Sequence, residues 1–448
     1  MTPCIAQLPL GILHGKRLTG QFDGGDLSSD GGLLLLAQAD QQLGLTRQLA
    51  ACLRDDRQPG KVRHRREELV AQRVYQIAAG YEDCNDADDL RHDPVLKTVV
   101  GRLPQSGRDL ASQPTLSRFE NRVTRRELWQ LAQVLVEQFL ARHAATQPKY
   151  VVLDFDATDD ETHGQQQFAA FHGYYDHHCY LPLLVTGQVA GGPQELLVAW
   201  LRRGACHAGR GALAVLKRLV ARLRAQWPGL PIIFRGDSGF ALPELYAWCE
   251  AQGQAVWYVI GLAKNSRLLA LAEPHLQAAR AEHERTAEKV RRLHDAEYAA
   301  NSWPHERRVL IKAEVTDRGD NPRFVVTNLR GAAAGLYDLY AARGEMENRI
   351  KELKCDLRID RTSCHRFRAN QFRVLLHAAA YLLLCALRHG LAGTELAQAQ
   401  VGTLQRRLLK LGVRVKETAR RVWLQFASGC PLQGLWPLLL ARLKPHPE

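Results

Sequence analysis

KYVVLDFDATDD, residues 149–160, runs a β-branched, apolar segment into a cluster of acids. Such a run reads as a buried strand. An Asp delivered at its end is costly to bury unless it is paired, hydrogen-bonded or bound to a metal. Asp154 and Asp156 fall on the same side of that strand because side chains alternate. A second buried-looking strand, LPIIFRGDSG at 230–239, also ends in an acid, Asp237.

Between and beyond these lie further elements of an α/β sheet. CYLPLLVTGQVAGG (179–192) and QELLVAWLRRG (194–204) read as two strands joined through a Gly-rich turn. GRGALAVLKRLVARLRAQW (209–227) and FALPELYAWCEAQG (240–253) read as helices, and AVWYVIGL (255–262) as another strand. Three strands followed by helix, strand, helix and strand is a mixed α/β pattern. A charged helix expected over EPHLQAARAEHERTAEKVRRL (273–293) leads to RRVLIKAEV (307–315), whose alternate residues are apolar. The stretch 264–322 reads as an insertion, with PRFVVTNLRG (322–331) supplying the last core strand.

YAARGEMENRIKELK, residues 340–354, reads as one helix. On it Tyr340, Arg343, Glu347 and Lys354 fall within roughly 60° of one another at helical spacing. Leu336, Leu339, Met346, Ile350, Leu353 and Leu357 form an apolar stripe beside them. With Asp156 and Asp237, Glu347 makes a set of three carboxylates able to converge on one site, at the C-terminal strand ends where α/β sheets tend to place sites. Hard oxygen donors of this kind suit magnesium or manganese. Arg343 and Lys354 are spaced to hold neighbouring phosphates, and Tyr340 to bond a phosphate or stack on a splayed base. The ordinary reading of each part is a turn former, a helix cap or a solvated salt-bridge face. It is the conjunction that points to a site.

The bulk properties fit. The chain has 448 residues, a net charge of +13 and a pI near 9.4, a balance that suggests a polyanionic partner. Its ten cysteines include no C-x-x-C pair, which argues against a zinc ribbon or a disulfide framework. The His-rich stretch (His163, His172, His177, His178) matches no common zinc spacing, and Cys206 and Cys364 read as incidental rather than nucleophilic. The start lacks a charged region before an apolar core, so no signal peptide is expected. VLLHAAAYLLLCAL (374–387) is too short for a membrane span and reads as a buried helix. The expectation is a soluble, cytoplasmic, nucleoid-associated protein with reduced thiols and no membrane partner.

Residues 1–145 look mainly helical, with Asp30 a cap for the first helix and basic loops that suit a DNA-binding module, a plain helical bundle being the alternative. The tail, including TLQRRLLKLGVRVKETARRVWLQF (403–426), reads as basic and helical.

Taken together these residues resemble the DDE transposases of bacterial insertion sequences (transposase DDE domain group 1 type). The carriers are D-x-T at Asp156–Ala157–Thr158, Asp237 at its strand end, and Y-(2)-R-(3)-E-(6)-K at Tyr340, Arg343, Glu347 and Lys354. The strings DATDDETHGQQQ, FHGYYD, FRGDSGFALPELY, MENRIKELK and RTSCHRFRANQFRVLLHAAAYLLL belong to the same resemblance, which spans most of residues 20–390.

It implies a ribonuclease H-like (retroviral integrase-type) core interrupted by an insertion. The implied division is a DNA-binding region at 1–145, a core at 146–263 and 323–390, an insertion at 264–322 and a basic tail at 391–448. The implied activity is metal-dependent cleavage at element ends and strand transfer into target DNA, in a homodimer or higher oligomer on DNA. A pair of Mg2+ ions, replaceable by Mn2+, would sit on Asp156, Asp237 and Glu347, while Tyr340, Arg343 and Lys354 contact the terminal inverted repeat. The D-x-T string favours Asp156 as first ligand, with Asp154 the alternative. A DNA nuclease of the same fold without strand transfer, and a catalytically silent DNA-binding derivative, are the rival readings.

Overall fold

A computed structural model describes residues 7–253 and 255–444. Cys4 and the last four residues of the tail lie outside them. The chain divides into two compact units, each described by itself.

One unit comprises Ala132–Lys351 and Thr362–Val374. Its sheet contains β1 (Val151–Ala157), β2 (Leu183–Val189), β3 (Gln194–Trp200), β4 (Ile232–Gly236), β5 (Val256–Leu262), β6 (Val290–Tyr298), β7 (Arg307–Thr316) and β8 (Arg323–Thr327). Their order is β6-β7-β8-β5-β4-β1-β2-β3, and a short ninth strand, Gly319–Asp320, pairs with β7. The first three strands are antiparallel, β4 and β5 run parallel to β1, and β8, β7 and β6 add an antiparallel extension.

The two faces of β1 explain its sequence. Val151, Leu153 and Phe155 enter a large core with Ile232, Phe234 and the helices α1 (Ala212–Gln226), α2 (Pro243–Ala251) and α3 (Ser266–Thr286). Val152 joins a smaller core on the other face, with Ile233, Val259 and the residues Leu336 and Tyr337 of α4 (Ala333–Ala341). Alternation then puts Asp154 and Asp156 on the α4 side.

Three expectations are corrected within this unit. First, 264–322 does more than interrupt the fold, because β6 and β7 extend the same sheet and only α3 stands off it as a helix. Second, the charged helix ends at Thr286. Ala287 takes a left-handed φ of 54°, and KVRRL turns into β6, whose Asp295 pairs with Arg308 of β7. Third, YAARGEMENRIKELK is three pieces. α4 ends at Ala341, α5 covers Gly344–Lys351, and Glu352–Asp356 is a π-turn belonging to the other unit. At the break the Arg343 N–H donates to the Tyr340 carbonyl (3.0 Å) and the Met346 N–H to that of Arg343 (2.8 Å), each three residues back. Packing accounts for the interruption. Tyr340 lies against Gly261 of β5, whereas Met346 is fully buried beside Thr186 of β2, on the far side of β4 and β1 in the sheet.

The other unit gathers Met1–Leu131, Glu352–Arg361 and Leu375–Glu448. Its helices include Leu33–Leu43, Leu45–Ala51, Arg66–Ala78 and Gln113–Asn121. Asp30 is no helix cap. Its carboxylate accepts from Tyr81 (2.9 Å) and Lys410 (2.7 Å), and Gly32 precedes the helix. The tail is not wholly helical either. Val413–Glu417 and Val422–Phe426 form a hairpin that pairs with Leu27–Ser28, because V-R-V-K-E buries Val413 and Val415 and exposes Arg414 and Lys416. The apolar run 374–387 lies within Phe367–Gly390, whose membrane-length apolar window is wholly buried inside the protein.

Candidate active site

Asp156 is next to last on β1, and Asp237 directly follows β4, the parallel neighbour of β1. Asp237 caps the turn Ser238–Phe240, its Oδ1 accepting the Gly239 N–H at 2.9 Å. Glu347 comes from α5 with its side chain 59% exposed. A single guanidinium holds the three together. Arg343 Nη1 donates to Asp156 Oδ2 at 2.9 Å and lies 3.8 Å from Glu347 Oε1, while its Nη2 lies 4.0 Å from Asp237 Oδ2. Arg343 and Asp156 are mostly buried, their side chains 13% and 11% exposed.

Burial pushes the Asp156 carboxyl up to about 7. Arg343 opposes that rise, while Asp237 and Glu347 add to it by repulsion. Burial alone would lower Arg343, but Asp156 and Asp237 outweigh it and hold the guanidinium above its ordinary value. The site therefore concentrates negative charge around one internal cation.

That arrangement tests the fit of a divalent metal. The donors are hard carboxylate oxygens from two strand ends and a helix, they already surround a positive group, and Glu347 stays open to solvent. The residue types fit, and what stands among them in this structure is Arg343. No three His, Cys, Asp or Glu side chains among the described residues are close enough together to enclose an ion as they stand.

The remaining predicted residues are placed differently. Tyr340 turns inward, and its hydroxyl lies where a β-carbon on Gly261 would come within 2.5 Å. Burial raises its hydroxyl pKa, with Arg343 opposing and Asp237 adding to the rise. Lys354 lies on the π-turn of the other unit. Asp154 is committed elsewhere. It is fully buried and receives Arg235 through both oxygens (Nη2 to Oδ2 at 2.6 Å) and Gln194 at 2.8 Å.

Several contributors carry no motif of their own in the sequence. Arg235 also donates to the Leu339 carbonyl at 2.5 Å, so one side chain ties β4, β1 and the last turn of α4. Its place two residues before Asp237 on the same strand face was the available signal. Asp159 and His177 lie 3.1 Å apart, and Tyr175 stacks on His177 at 6.0 Å. Burial pushes the Tyr175 hydroxyl above its ordinary value, with Asp159, Asp156 and Asp237 adding to the shift, and that hydroxyl lies 3.5 Å from the carbonyl of Ala157, the residue after Asp156. The loop belongs to a small sheet of Asp160–Glu161, His177–Tyr180 and Ala170–His172.

The described structure is thus an α/β protein with a large mixed sheet and acids gathered at its strand ends. Over residues 10–448 the chain matches the family described as Transposase DDE domain group 1, and it belongs to that family. No curated protein matches it. Among solved structures it is similar to the piggyBac transposase in a cryo-EM structure of its synaptic complex with hairpin DNA. Identity is 11% and the TM-score 0.44, over 85% of this chain and 80% of that one.

Proposed function

We propose that this protein is a DNA transposase of a bacterial insertion sequence, cutting at the element's ends and joining the freed 3′-hydroxyls to target DNA. The observation that carries the reading is the convergence of Asp156, Asp237 and Glu347 on one guanidinium, each within 4.0 Å of it. We read the sheet as a ribonuclease H-like core. An antiparallel triplet followed by two strands parallel to the first, with acids at the C-terminal end of β1 and directly after β4, supports that.

Asp156, Asp237 and Glu347 would hold a pair of Mg2+ or Mn2+ ions, which supply Lewis acidity and an activated water for in-line displacement at phosphorus. Asp154 is set aside as a ligand because Arg235 and Gln194 occupy it. Arg343 and Lys354 bind phosphates at the transposon end, and Tyr340 fixes the helix break that presents Arg343. The region 1–145 and the tail 391–448 bind DNA. The exposed basic loop at Lys61, Arg63 and Arg65 supports the first, and Arg414, Lys416, Arg420 and Arg421 support the second. Two or more protomers act on paired ends.

The test uses purified protein, a plasmid carrying the element with its native flanks, a target plasmid and Mg2+, beside Glu347→Gln. Metal-dependent nicking and joining by the wild type, absent in the variant, is the expected result. Cleavage without joining makes the protein a nuclease. DNA binding without cleavage by either protein makes it a silent derivative. Equal activity of the two removes Glu347 from the site.

A further inference from the structure

Arg343 stands among the three carboxylates that would hold a divalent ion. It hydrogen-bonds Asp156 and lies within 4.0 Å of both other acids. We propose that Arg343 exchanges partners during the reaction, holding the three carboxylates in the protein alone and moving to a DNA phosphate when DNA arrives, so that metal loading depends on DNA. This rests on the transposase reading above and goes beyond it.

Three observations make the exchange physically reasonable. The charges are unequal, since three carboxylates face one guanidinium. A guanidinium also matches phosphate as well as it matches carboxylate, through two parallel N–H donors. And Arg343 sits on the two-residue break between α4 and α5, where hydrogen bonds run three residues back, so its backbone is not locked into a continuous helix and can reorient with the side chain. Once it leaves, the buried Asp156 can stay charged only with another cation beside it, which a divalent ion supplies. Coupling of this kind is reciprocal, so metal must tighten DNA binding by the same factor that DNA tightens metal binding.

The proposal is tested by Mn2+ binding, followed by electron paramagnetic resonance of the free ion, on the full chain without DNA. Arg343→Gln should bind Mn2+ at least about tenfold more tightly than wild type, the equivalent of some 1.4 kcal/mol. Adding Asp156→Asn to that variant should abolish the gain. Arg343→Lys, which keeps a cation in place, should stay near the wild-type level. Once the Mn2+ taken up by duplex alone is subtracted, a blunt duplex of mixed sequence should tighten Mn2+ binding by the wild type and leave that of Arg343→Gln unchanged. The thermal shift produced by Mn2+ gives a second readout that registers whether each variant is folded.

If Arg343→Gln binds Mn2+ no better than wild type while Asp156→Asn still weakens binding, the exchange is wrong and the metal site stands. If Lys behaves like Gln, charge is not the cause and the proposal falls. If duplex leaves wild-type Mn2+ binding unchanged, the phosphate half is wrong. If no Mn2+ binding depends on Asp156 in any of these proteins, the exchange and the metal-site reading fail together.

Discussion

Arg235 and Asp154 form an ion pair across the neighbouring parallel strands β4 and β1, with side chains only 1% and 0% exposed. Removing one partner of such a pair strands the other as a buried charge. Arg235→Met should therefore cost about 3–5 kcal/mol of stability. Asp154→Leu in the Arg235→Met background should recover a good part of it, since a matched apolar replacement leaves no orphan. Urea unfolding of the two single variants and the double decides this, and additive losses would contradict it.

Gly261 gives a second prediction. A β-carbon there would come within 2.5 Å of the Tyr340 hydroxyl and 3.3 Å of its ring carbon Cζ. Gly261→Ala should therefore destabilise the protein by about 1–3 kcal/mol through overpacking. It should also slow DNA cleavage by displacing the break that carries Arg343. Tyr340→Phe removes the nearer atom, so the double variant should be more stable than Gly261→Ala alone. A double variant that is worse would mean the hydroxyl is not what the glycine accommodates.

Acid sensitivity should be traceable to Glu314 on β7. Burial works to raise its carboxyl, but Lys312 (2.8 Å), Lys289 (2.9 Å) and Asn321 (2.8 Å) outweigh that and hold it down to about 2. A depressed carboxyl contributes stability that is fully present above the unfolded value, roughly 4.3, and is lost as pH falls toward the folded one. Glu314→Gln should therefore unfold at lower urea than wild type at pH 7, with the gap narrowing at about pH 3, between those two values. A gap that does not change with pH would assign the loss to packing.

DNA affinity should depend on the tail hairpin. Arg414, Lys416, Arg420 and Arg421 are all exposed, and Arg421 lies over the Trp423 ring at 5.7 Å. Replacing the four by Gln should weaken DNA binding at every sequence tested. It should also flatten the dependence of log K on log salt by about 0.9 for each phosphate left unneutralised. An unchanged slope, with circular dichroism also unchanged, would show that this face does not touch DNA.

Much of the core could be read from the chain, and the reasons are local. β1 and β4 each show a buried run ending in an acid, and the turn after β2 carries two glycines. Period and punctuation suffice for such elements. What was not legible depended on partners distant in sequence. The alternation in V-R-V-K-E was visible, yet its strand role needed Leu27–Ser28 from near the other end of the chain. The break at Arg343 followed from Tyr340 and Met346 packing on different strands, which helical spacing cannot reveal. Asp154 and Asp156 look equivalent in the sequence, and only the structure shows Arg235 and Gln194 on one and Arg343 on the other.

The segmented makeup of the unit that holds both Leu27–Ser28 and the tail hairpin sets an order on synthesis. Leu27–Ser28 must wait for Val413–Glu417, and Gly31 and Gly32 for the carbonyls of Leu411 and Leu409. At common translation rates that wait is on the order of half a minute. The strands and helix bearing Asp156, Asp237 and Glu347 have all left the ribosome before then. A nascent chain thus carries its carboxylates well before the unit containing Leu27–Ser28 can close, which ties that closure to the synthesis of the 409–417 segment.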